Sequence, residues 1–432
     1  MRSHYCIEVG SSLDGRNVTL AGWVHEIRDM GKLKFLILRD RTGFTQVIAK
    51  KENTDKKILE AIDGLSKESV IEVTGKVAAN PKAPSGVELI QIEIVVLAHS
   101  QVPLPLDVTG KVDADLDTRL NNRFIDVRKP AVMAVFKIRS KVQQAFREYF
   151  SSKGFIEINP PSIIAAASEG GTELFAISYF EREAFLCQSP QLYKQMMMSG
   201  GFDKVFITMP VFRAESHNTT RHLNEIYQMD IEKSFIKDEE GVLEDLEGSV
   251  QFILQKVSED CAAELKLLGR EINVPKLPFK RLTYSEALSL LEKNGIKIPW
   301  GSDFTPESDK KLHELIQEPF FIKEWPTKIR AFYSKPREDN PELCRAFDLC
   351  YMGMEISSGA QRIHDTEELI TALKRKNLNP ENFEFYLKAF RYGMPPHGGW
   401  SIGAERITEA ITGVSNIREV VLYPRDRTRL EP

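Results

Sequence analysis

The chain has 432 residues, of which 42% are hydrophobic and 28% are charged, and its formal net charge is -4. This length is typical of two or three domains, and the composition is that of a globular protein with a sizeable core, which excludes a disordered chain. The nearly balanced charge excludes a globally basic nucleic-acid binder, so a nucleic-acid partner would have to be bound by local basic patches.

The cysteines and the first residues indicate the compartment. The five cysteines are widely spaced and include no Cys-x-x-Cys pair, which argues against a disulfide framework and against a thiolate zinc site. The opening residues, MRSHYCIEVG, contain no apolar signal segment, and no run reaches the roughly 18 apolar residues that a membrane span needs. We therefore expect a cytoplasmic protein that does not contact a membrane.

Residues 18–98 are predicted to form short strands separated by turns, with one helix near residues 57–65. Five strands and one helix are the pattern of an OB-fold barrel, which binds single-stranded nucleic acid on one face. On this interpretation Phe35 stacks on a base and Gln46 contacts a base edge. Taken alone, these two residues are better explained as ordinary barrel residues. We predict an OB-fold domain over residues 1–104.

The next segment is predicted to be a linker followed by a long helix. Residues 101–111, QVPLPLDVTGK, contain two prolines and a glycine and have no periodicity, so residues 105–130 are assigned to a linker or hinge. A helix then runs over residues 131–151 with its apolar residues at helical spacing: Val132, Val135, Ile138, Val142, Phe146 and Phe150. An extended stretch, GFIEINPPSII, follows it.

The stretch VFRAESHNTTRHLNE, residues 211–225, is predicted to be a hairpin rich in ionisable groups. Arg213 and Glu215 share one face of the first strand, and Arg221 and His222 follow the polar turn. Guanidinium groups bind phosphate or carboxylate through two parallel hydrogen bonds, so an anionic ligand is expected. A surface hairpin held by salt bridges explains these residues equally well.

A glycine turn and a capped helix precede this hairpin. The turn SEGGTELF contains Glu169, and in QSPQLYK Ser189 is predicted to be the N-cap and Pro190 the first residue of a helix. Gln191 and Lys194 then share one face of that helix. Without further context, Lys194 is better explained as a solvated lysine.

Two stretches in the C-terminal half suggest phosphate and metal chemistry. Asp348 and Glu355, in AFDLCYMGMEISSGAQRIH, are predicted to meet across a sheet, where two carboxylates beside arginines suit a magnesium-phosphate site. Alternatively, they only neutralise neighbouring arginines. In GGWSIGAER, glycine-rich turns lead into a strand and then a helix, and Arg406 lies in its first turn, where an anion is favoured.

In this order, the helix and strand ending at Pro160, FRAE with RHLNE, and GGWSIGAER resemble motifs 1, 2 and 3 of the class II aminoacyl-tRNA synthetases. QSPQLYK, SEGGTELF and ISSGAQR resemble the archaeal-type aspartyl-tRNA synthetases in particular. The resemblance implies an α+β fold: the OB-fold barrel, then a class II catalytic domain over residues 131–432, an antiparallel sheet flanked by helices. Residues 234–342, whose pattern is helical with extended pieces around PFFIKEWP, would be a helical insertion in it.

The resemblance also implies a reaction and its ligands. L-Aspartate would attack ATP, with Mg²⁺ bound, to give aspartyl-adenylate, and the aspartyl group would pass to tRNA(Asp) and also to tRNA(Asn). Motif 1 implies a homodimer. The catalytic residues would be Arg213, Glu355 and Arg406, and the metal ligands Asp348, Glu355 and Ser358. ATP would be bound by Arg213, Ala214, Glu215, Arg221, His222, Leu223, Glu355, Gly403, Ala404, Glu405 and Arg406.

The residues that the resemblance assigns to aspartate fall into two groups. Glu169 and Gln191 would bind its amino group, and Lys194 and Arg362 its side-chain carboxylate. The full set is Glu169, Gln191, Leu192, Tyr193, Lys194, Arg213, Ser358 and Arg362. Two cations in a closed pocket would favour aspartate over asparagine, because a neutral amide would leave buried charge uncompensated.

The choice between tRNAs is expected to depend on the barrel. The resemblance implies that relatives selective for tRNA(Asp) have Trp and Lys where this chain has His25 and Pro84. Their loss would relax the choice between C and U at the last anticodon base, which differ as donor and acceptor. The alternatives are a strictly discriminating enzyme and a non-catalytic, synthetase-derived RNA-binding protein. A synthetase-like asparagine-forming enzyme would be expected to lack the barrel.

Overall fold

The computed structural model describes residues 2–83, 85–165, 173–216 and 219–432. The chain forms two compact units, Met1–Lys129 and Pro130–Pro432. Within the described ranges, no helix is long and apolar enough to cross a membrane. Two of the residues singled out above, Pro84 and Glu169, lie outside the described residues.

The first unit contains a closed five-stranded barrel with the strand order β1-β2-β3-β5-β4. Apolar residues alternate along its strands, so Leu20, Leu36 and Val73 point into a common core. The predicted OB-fold is confirmed. Its elements are β1 Asn17–Asp29, β2 Leu33–Arg39, β3 Phe44–Lys50, α1 Lys56–Asp63, β4 Val70–Ala79 and β5 Val87–Ala98.

The segment after the barrel is more ordered than a linker would be. Leu106, Val108 and Ile125 form a small buried cluster. Asp107 accepts hydrogen bonds from the backbone of Thr109 and of the two residues 111 and 112. Two short helices follow, α2 Leu116–Asn121 and α3 Arg123–Asp126.

In the described part of the second unit, the central sheet has eight strands in the order β12-β13-β14-β15-β16-β11-β10-β6. Neighbouring strands are antiparallel, except for the parallel pairs β12–β13 and β6–β10. The predicted antiparallel catalytic sheet is therefore confirmed, with a parallel pair near each edge. Its strands are β6 Ile156–Glu157, β10 Lys204–Phe212, β11 Glu225–Ser234, β12 Lys280–Thr283, β13 Phe320–Pro326, β14 Leu343–Tyr351, β15 Met354–Gln361 and β16 His397–Gly403.

Helices and a small sheet flank the central sheet. The predicted long helix is α4 Pro130–Ser152, which buries Ile138, Val142, Phe146 and Phe150 in the main core. The small sheet pairs β7 Ile163–Ile164 with β9 Arg182–Leu186, and β9 with β8 Ala176–Tyr179. The other helices are α5 Gln191–Ser199, α6 Glu240–Asp260, α7 Ala262–Leu267, α8 Tyr284–Lys293, α9 Pro306–Ile316, α10 Thr366–Arg375, α11 Glu384–Arg391 and α12 Ala404–Thr412.

Three local predictions need correction. The strand β10 ends at Phe212, so Arg213 and Glu215 follow the strand instead of lying in it. Pro190 is the cap residue of α5, and the Ser189 hydroxyl accepts a hydrogen bond from the Gln191 amide at 3.2 Å. Gly399 lies inside β16 and not in a turn. Glycine is required there because a side chain would collide with the Glu232 carboxylate on the neighbouring strand.

Candidate active site

A cavity of about 330 Å³ opens in the second unit between β11, β15, β16 and α5. Arg213, Glu355 and Arg406, which are far apart in sequence, all line it. Gln191, Lys194, Ser358 and Arg362 line the same cavity. The sheet therefore brings predicted nucleotide-binding and predicted aspartate-binding side chains into one space.

Arg213 and Arg406 enter the cavity from two different supports. Asn224 holds the backbone around Arg213, because its side-chain amide donates to the Arg213 carbonyl at 2.7 Å and its own carbonyl accepts from the Arg213 amide at 2.8 Å. Arg406 lies in the first turn of α12, and its Nη1 donates to the Glu355 carbonyl at 2.9 Å. Both guanidinium groups are thus directed into the cavity by the backbone of neighbouring elements.

The predicted metal ligands lie on the β14–β15 hairpin. Asp348 is opposite Ser358 in the ladder, and Glu355 is three residues before Ser358 on β15. Arg330, which the sequence analysis did not identify, forms an ion pair with Asp348 Oδ2 and lies 3.8 Å from the centre of the Trp325 ring. Among the described residues, no group bonds to the buried Asp348 Oδ1. This free carboxylate oxygen suits a cation ligand.

The pKa values of these carboxyl groups are raised mainly by burial. Burial raises the pKa of Asp348, although the neighbouring Arg330 guanidinium opposes the shift. Burial and then the Asp348 carboxylate raise the pKa of Glu355. Raised pKa values in a cleft are typical of functional sites. A cation bound beside these two carboxyl groups would favour their charged state.

Arg221 and Arg406 face two further carboxyl groups. Burial raises the pKa of Asp309, on α9, to about 6, while the charges of Arg221 and Arg406 oppose the shift. Burial likewise raises the pKa of Glu409, on α12, to about 7, against the same two arginines. The hairpin arginine and the α12 arginine are therefore close enough to act on the same groups. His222, beside Arg221, bonds to the Thr219 hydroxyl at 2.6 Å.

The end of the cavity that contains Lys194 and Arg362 has two cations and two anions. Lys194 Nζ lies 2.9 Å from Asp230 Oδ2 and 3.4 Å from Glu232 Oε2. Arg362 Nε lies 3.0 Å from Glu232 Oε1. Burial alone would raise the pKa of Glu232, but the charges of Arg362 and Lys194 hold it below its ordinary value. The argument from two uncompensated cations is therefore wrong, because Asp230 and Glu232 balance both charges.

The missed acidic residues had a signal in the sequence. Gln228, Asp230 and Glu232 alternate with the buried Met229 and Ile231 on β11. Polar residues at every second position of a strand share one face, so this stretch predicts a polar face over the cavity. Arg330 lies outside the helices and strands and had no such signal.

Several of the predicted residues lie elsewhere. Leu192 and Leu223 are buried in apolar clusters, and the Glu405 carboxylate accepts hydrogen bonds from Arg139 and from the Tyr227 amide. Ala214 and Glu215 line a second cavity of about 530 Å³ beneath the C-terminal segment. Of the other predicted residues, Tyr193 is half-buried and Ala404 is buried, whereas Gly403 lines the first cavity.

The predicted anticodon residues lie on the barrel. Phe35 is on β2 and half-buried, and the Gln46 amide on β3 donates to Glu88 at 3.3 Å. The His25 ring lies 5.0 Å from the Phe44 ring, and its Nδ1 is 3.2 Å from Arg39.

Comparison with protein families agrees with the two units. Residues 115–427 match the model of the class II tRNA synthetases (D, K and N), and residues 18–98 match that of the OB-fold nucleic acid binding domain. The chain belongs to the class II aminoacyl-tRNA synthetases of this subgroup. It is an enzyme fold joined to a tRNA-binding barrel.

The similarity to known proteins extends along the whole chain. It is 52% identical to the aspartate–tRNA(Asp/Asn) ligase of Methanopyrus kandleri and 52% identical to the aspartate–tRNA(Asp) ligase of Pyrococcus furiosus, in both cases over 100% of each chain. Among solved structures, it is similar to the asparaginyl-tRNA synthetase of Pyrococcus horikoshii complexed with asparaginyl-adenylate, with a TM-score of 0.94, 32% identity and 99% of each chain covered. The aspartyl-tRNA synthetase of Entamoeba histolytica gives a TM-score of 0.89 at 34% identity, over 99% of this chain and 92% of that one.

Proposed function

We propose that the chain is an aspartate–tRNA ligase that activates L-aspartate with ATP and transfers it to tRNA(Asp) and to tRNA(Asn). The observation that carries the proposal is one cavity lined by Arg213, Glu355 and Arg406 together with Lys194 and Arg362. The names of relatives about half identical to this chain support aspartate as the substrate.

The reaction requires mainly positioning and charge stabilisation. The aspartate carboxylate attacks the α-phosphorus of ATP, the bond to pyrophosphate breaks, and aspartyl-adenylate forms. Arg213 holds the attacking carboxylate and the α-phosphate together and stabilises the negative charge that builds on the phosphate oxygens. Arg406, with Arg221 and His222, binds the phosphate tail, and guanidinium groups suit this role because they stay charged at any working pH.

Aspartate occupies the other end of the cavity. Lys194 and Arg362 bind its side-chain carboxylate, while Gln191 offers an oxygen to its amino group. Asp230 and Glu232 fix the two cations in place, and the buried network is electrically balanced before the substrate enters. A buried site built in this way rejects a ligand that leaves its hydrogen-bonding groups unpaired.

Asp348, Glu355 and Ser358 fit a magnesium ion that accompanies ATP. The unbonded Asp348 Oδ1 supports this assignment, and two carboxylates with a hydroxyl leave coordination positions for water and phosphate oxygens, as Mg²⁺ prefers. When bound, the ion would neutralise phosphate charge.

The proposal includes a homodimer and a cytoplasmic location. A homodimer through α4 and β6 is supported by the position of β6 at the sheet edge, where the Ile156 side chain is 48% exposed. Sedimentation of the purified protein tests it, and a monomer at micromolar concentration would exclude it. The five cysteines are all buried, and no disulfide joins any of the described residues, which suits the reducing cytoplasm.

The activity is tested by ATP–pyrophosphate exchange with aspartate or asparagine, followed by charging of tRNA(Asp) and tRNA(Asn) transcripts. We expect exchange with aspartate only and charging of both tRNAs. Charging of tRNA(Asp) alone would instead identify a discriminating enzyme. Absence of exchange would support the non-catalytic, RNA-binding alternative.

A further inference from the structure

A buried chain of hydrogen bonds lies behind Gln191 and begins at His397. His397 Nδ1 lies 2.9 Å from the Pro395 carbonyl oxygen, which can only accept, so Nδ1 carries the proton. Burial lowers the pKa of His397 to about 4, against the effect of the Glu232 carboxylate, and the ring is therefore neutral. A neutral ring that is protonated on Nδ1 can only accept at Nε2.

Gln195 transmits this direction. Its amide nitrogen lies 2.9 Å from His397 Nε2, and only the NH₂ group can donate to that atom. Its amide oxygen must then face the opposite way, where it accepts from the Tyr386 hydroxyl at 3.1 Å and from Gln191 Nε2 at 2.8 Å. Gln195 is fully buried and does not line the cavity, so it acts only through its neighbours.

This series of hydrogen bonds ends at the Gln191 amide, which lies between the Gln195 oxygen and the Arg362 guanidinium. Its NH₂ group is used by Gln195, so its oxygen points to the cavity side, 3.3 Å from Arg362 Nη2. An ammonium group has only donors and needs an oxygen acceptor. The opposite orientation would present the NH₂ group of Gln191 to the ammonium and oppose binding.

We infer that Gln195 and His397 are positioning residues that fix the amide orientation of Gln191 and thereby set the recognition of the substrate's α-ammonium group. The inference rests on the proposed function, because it takes the Gln191 oxygen as the partner of the aspartate ammonium. It predicts that breaking this series of hydrogen bonds weakens the binding of ligands that have the ammonium group and does not change the binding of ligands that lack it.

Two substitutions of Gln195 separate orientation from packing. Gln195→Met keeps the length of the side chain but removes both polar atoms, whereas Gln195→Glu keeps oxygen acceptors for Gln191 and Tyr386 and contacts His397 Nε2 through a proton carried by the carboxyl group or by the ring. If orientation matters, the KM for aspartate in pyrophosphate exchange rises about tenfold in Gln195→Met, as expected for a lost hydrogen bond to a charged group. It stays within about threefold of wild type in Gln195→Glu. If only packing matters, the buried charge of Gln195→Glu makes it the more damaged variant, which would overturn the inference.

A ligand without the ammonium group gives the second readout. Succinate has both carboxylates of aspartate and no amino group, so its inhibition constant should be unchanged in Gln195→Met, as should the KM for ATP. An equal weakening of succinate and aspartate would contradict the inference. Gln251→Met is the control, because the Gln251 amide donates to the Pro275 carbonyl at 2.8 Å away from the cavity. We expect wild-type constants for it.

Labelling the histidines with ¹⁵N tests the same chain in the unmodified protein, even if Gln195→Met does not fold. We expect the His397 signals of a neutral ring with its proton on Nδ1. A proton on Nε2 would require the Gln195 oxygen to face His397 and would overturn the inference. Failure of wild-type exchange with aspartate would reject the proposed function, whereas normal exchange with an unchanged KM in Gln195→Met would reject only this inference.

Discussion

The pair of Arg330 and Asp348 is a residue-scale feature on which the nucleotide end of the cavity depends. The Asp348 side chain is 3% exposed, and Arg330 is its ion-pair partner. Removing one partner of a buried pair leaves an uncompensated charge, which costs about 3–5 kcal/mol. We expect Arg330→Met to lower the free energy of unfolding by that amount in urea titrations. Pyrophosphate exchange should also fall by at least about tenfold.

The control for this variant is Arg337→Met in the same segment. Arg337 pairs with Asp339 and with Glu324, both at 2.9 Å, and their side chains remain 68% and 29% exposed. Exposed pairs contribute about 0–1 kcal/mol, so this variant should unfold and react nearly as wild type does. Equal losses in the two variants would contradict the role given to Arg330.

Gly399 offers a second residue-scale prediction. A Cβ at this position would meet the Glu232 carboxylate and the Ile231 carbonyl, so Gly399→Ala must displace Glu232 from Arg362. Because small displacements of positioning groups reduce activity strongly, we expect the KM for aspartate to rise at least about tenfold. Gly10→Ala is the control, since a Cβ there has no neighbour within 4 Å. An unchanged aspartate KM in Gly399→Ala would exclude this role.

How far the site could be predicted depended on the local pattern around each residue. Arg213, Glu355 and Arg406 belong to motifs that occur in a recognisable order along the sequence. Asp230 and Glu232 were missed, although their alternation along β11 was visible. Arg330 lies in an irregular segment and reaches Asp348 only through the fold. A sequence pattern therefore identifies ligand-binding groups better than it identifies the counter-charges that hold them.

Among the elements, the barrel is tied together by Glu68, which precedes β4. The buried Glu68 carboxylate accepts from Arg39 on β2 at 2.7 Å and from Arg128 at 2.9 Å. Burial would raise its pKa, but hydrogen bonds from His25, Arg39 and Arg128 lower the pKa of Glu68 from 4.5 to about 2. The Glu68 carboxylate thus connects β1, through His25, and β2, through Arg39, to Arg128 near the end of the same unit.

This shift predicts how acid affects the barrel. Because the folded-state pKa lies below the unfolded value of about 4.5, the contribution of Glu68, about 3 kcal/mol, is complete above pH 4.5 and is lost as the pH falls towards 2. We expect Glu68→Gln to be less stable at pH 6 and to lose less stability on acidification. Fluorotryptophan NMR of the whole chain measures this through the Trp23 signal, because Trp23 lies on β1.

Glu60→Gln is the matched variant on α1. The Glu60 side chain is 66% exposed and lies 3.9 Å from Lys56, so its removal should not change the acid sensitivity of the Trp23 signal. Identical acid profiles for Glu68→Gln and the wild type would show that Glu68 does not stabilise the barrel.

Strand alternation and helical spacing predicted the barrel and α4, because both are local and repeated patterns. The same reasoning assigned residues 234–342 to a helical insertion with an extended piece around PFFIKEWP; that piece is β13, and β12 and β13 together extend the central sheet. Pairing between strands that are distant in sequence is set by tertiary packing, which periodicity does not report. The two-residue strand β6 is too short to have a period at all.

For the whole molecule, the proposed charging of two tRNAs requires that one amino-acid site serve both of them. The proposed activation site is a cavity lined by residues of the second unit, whereas the anticodon is expected to be bound by the barrel. Selection between tRNA(Asp) and tRNA(Asn) can therefore change without any change in aspartate activation. The two properties are measured separately, by tRNA charging and by pyrophosphate exchange.

This separation makes the double variant His25→Trp with Pro84→Lys the sharpest test of tRNA choice. The added lysine can donate to the ring nitrogen N3 of C, which is an acceptor, but not to N3 of U, which carries a proton, and discrimination of a single base is worth about 1–3 kcal/mol. We expect kcat/KM for tRNA(Asn) to fall at least about tenfold in the double variant, with tRNA(Asp) charging and pyrophosphate exchange unchanged. Each single variant should give a smaller loss. If kcat/KM is unchanged for both tRNAs, these positions do not set the choice. If kcat/KM falls equally for both tRNAs, the His25–Arg39 contact has been damaged.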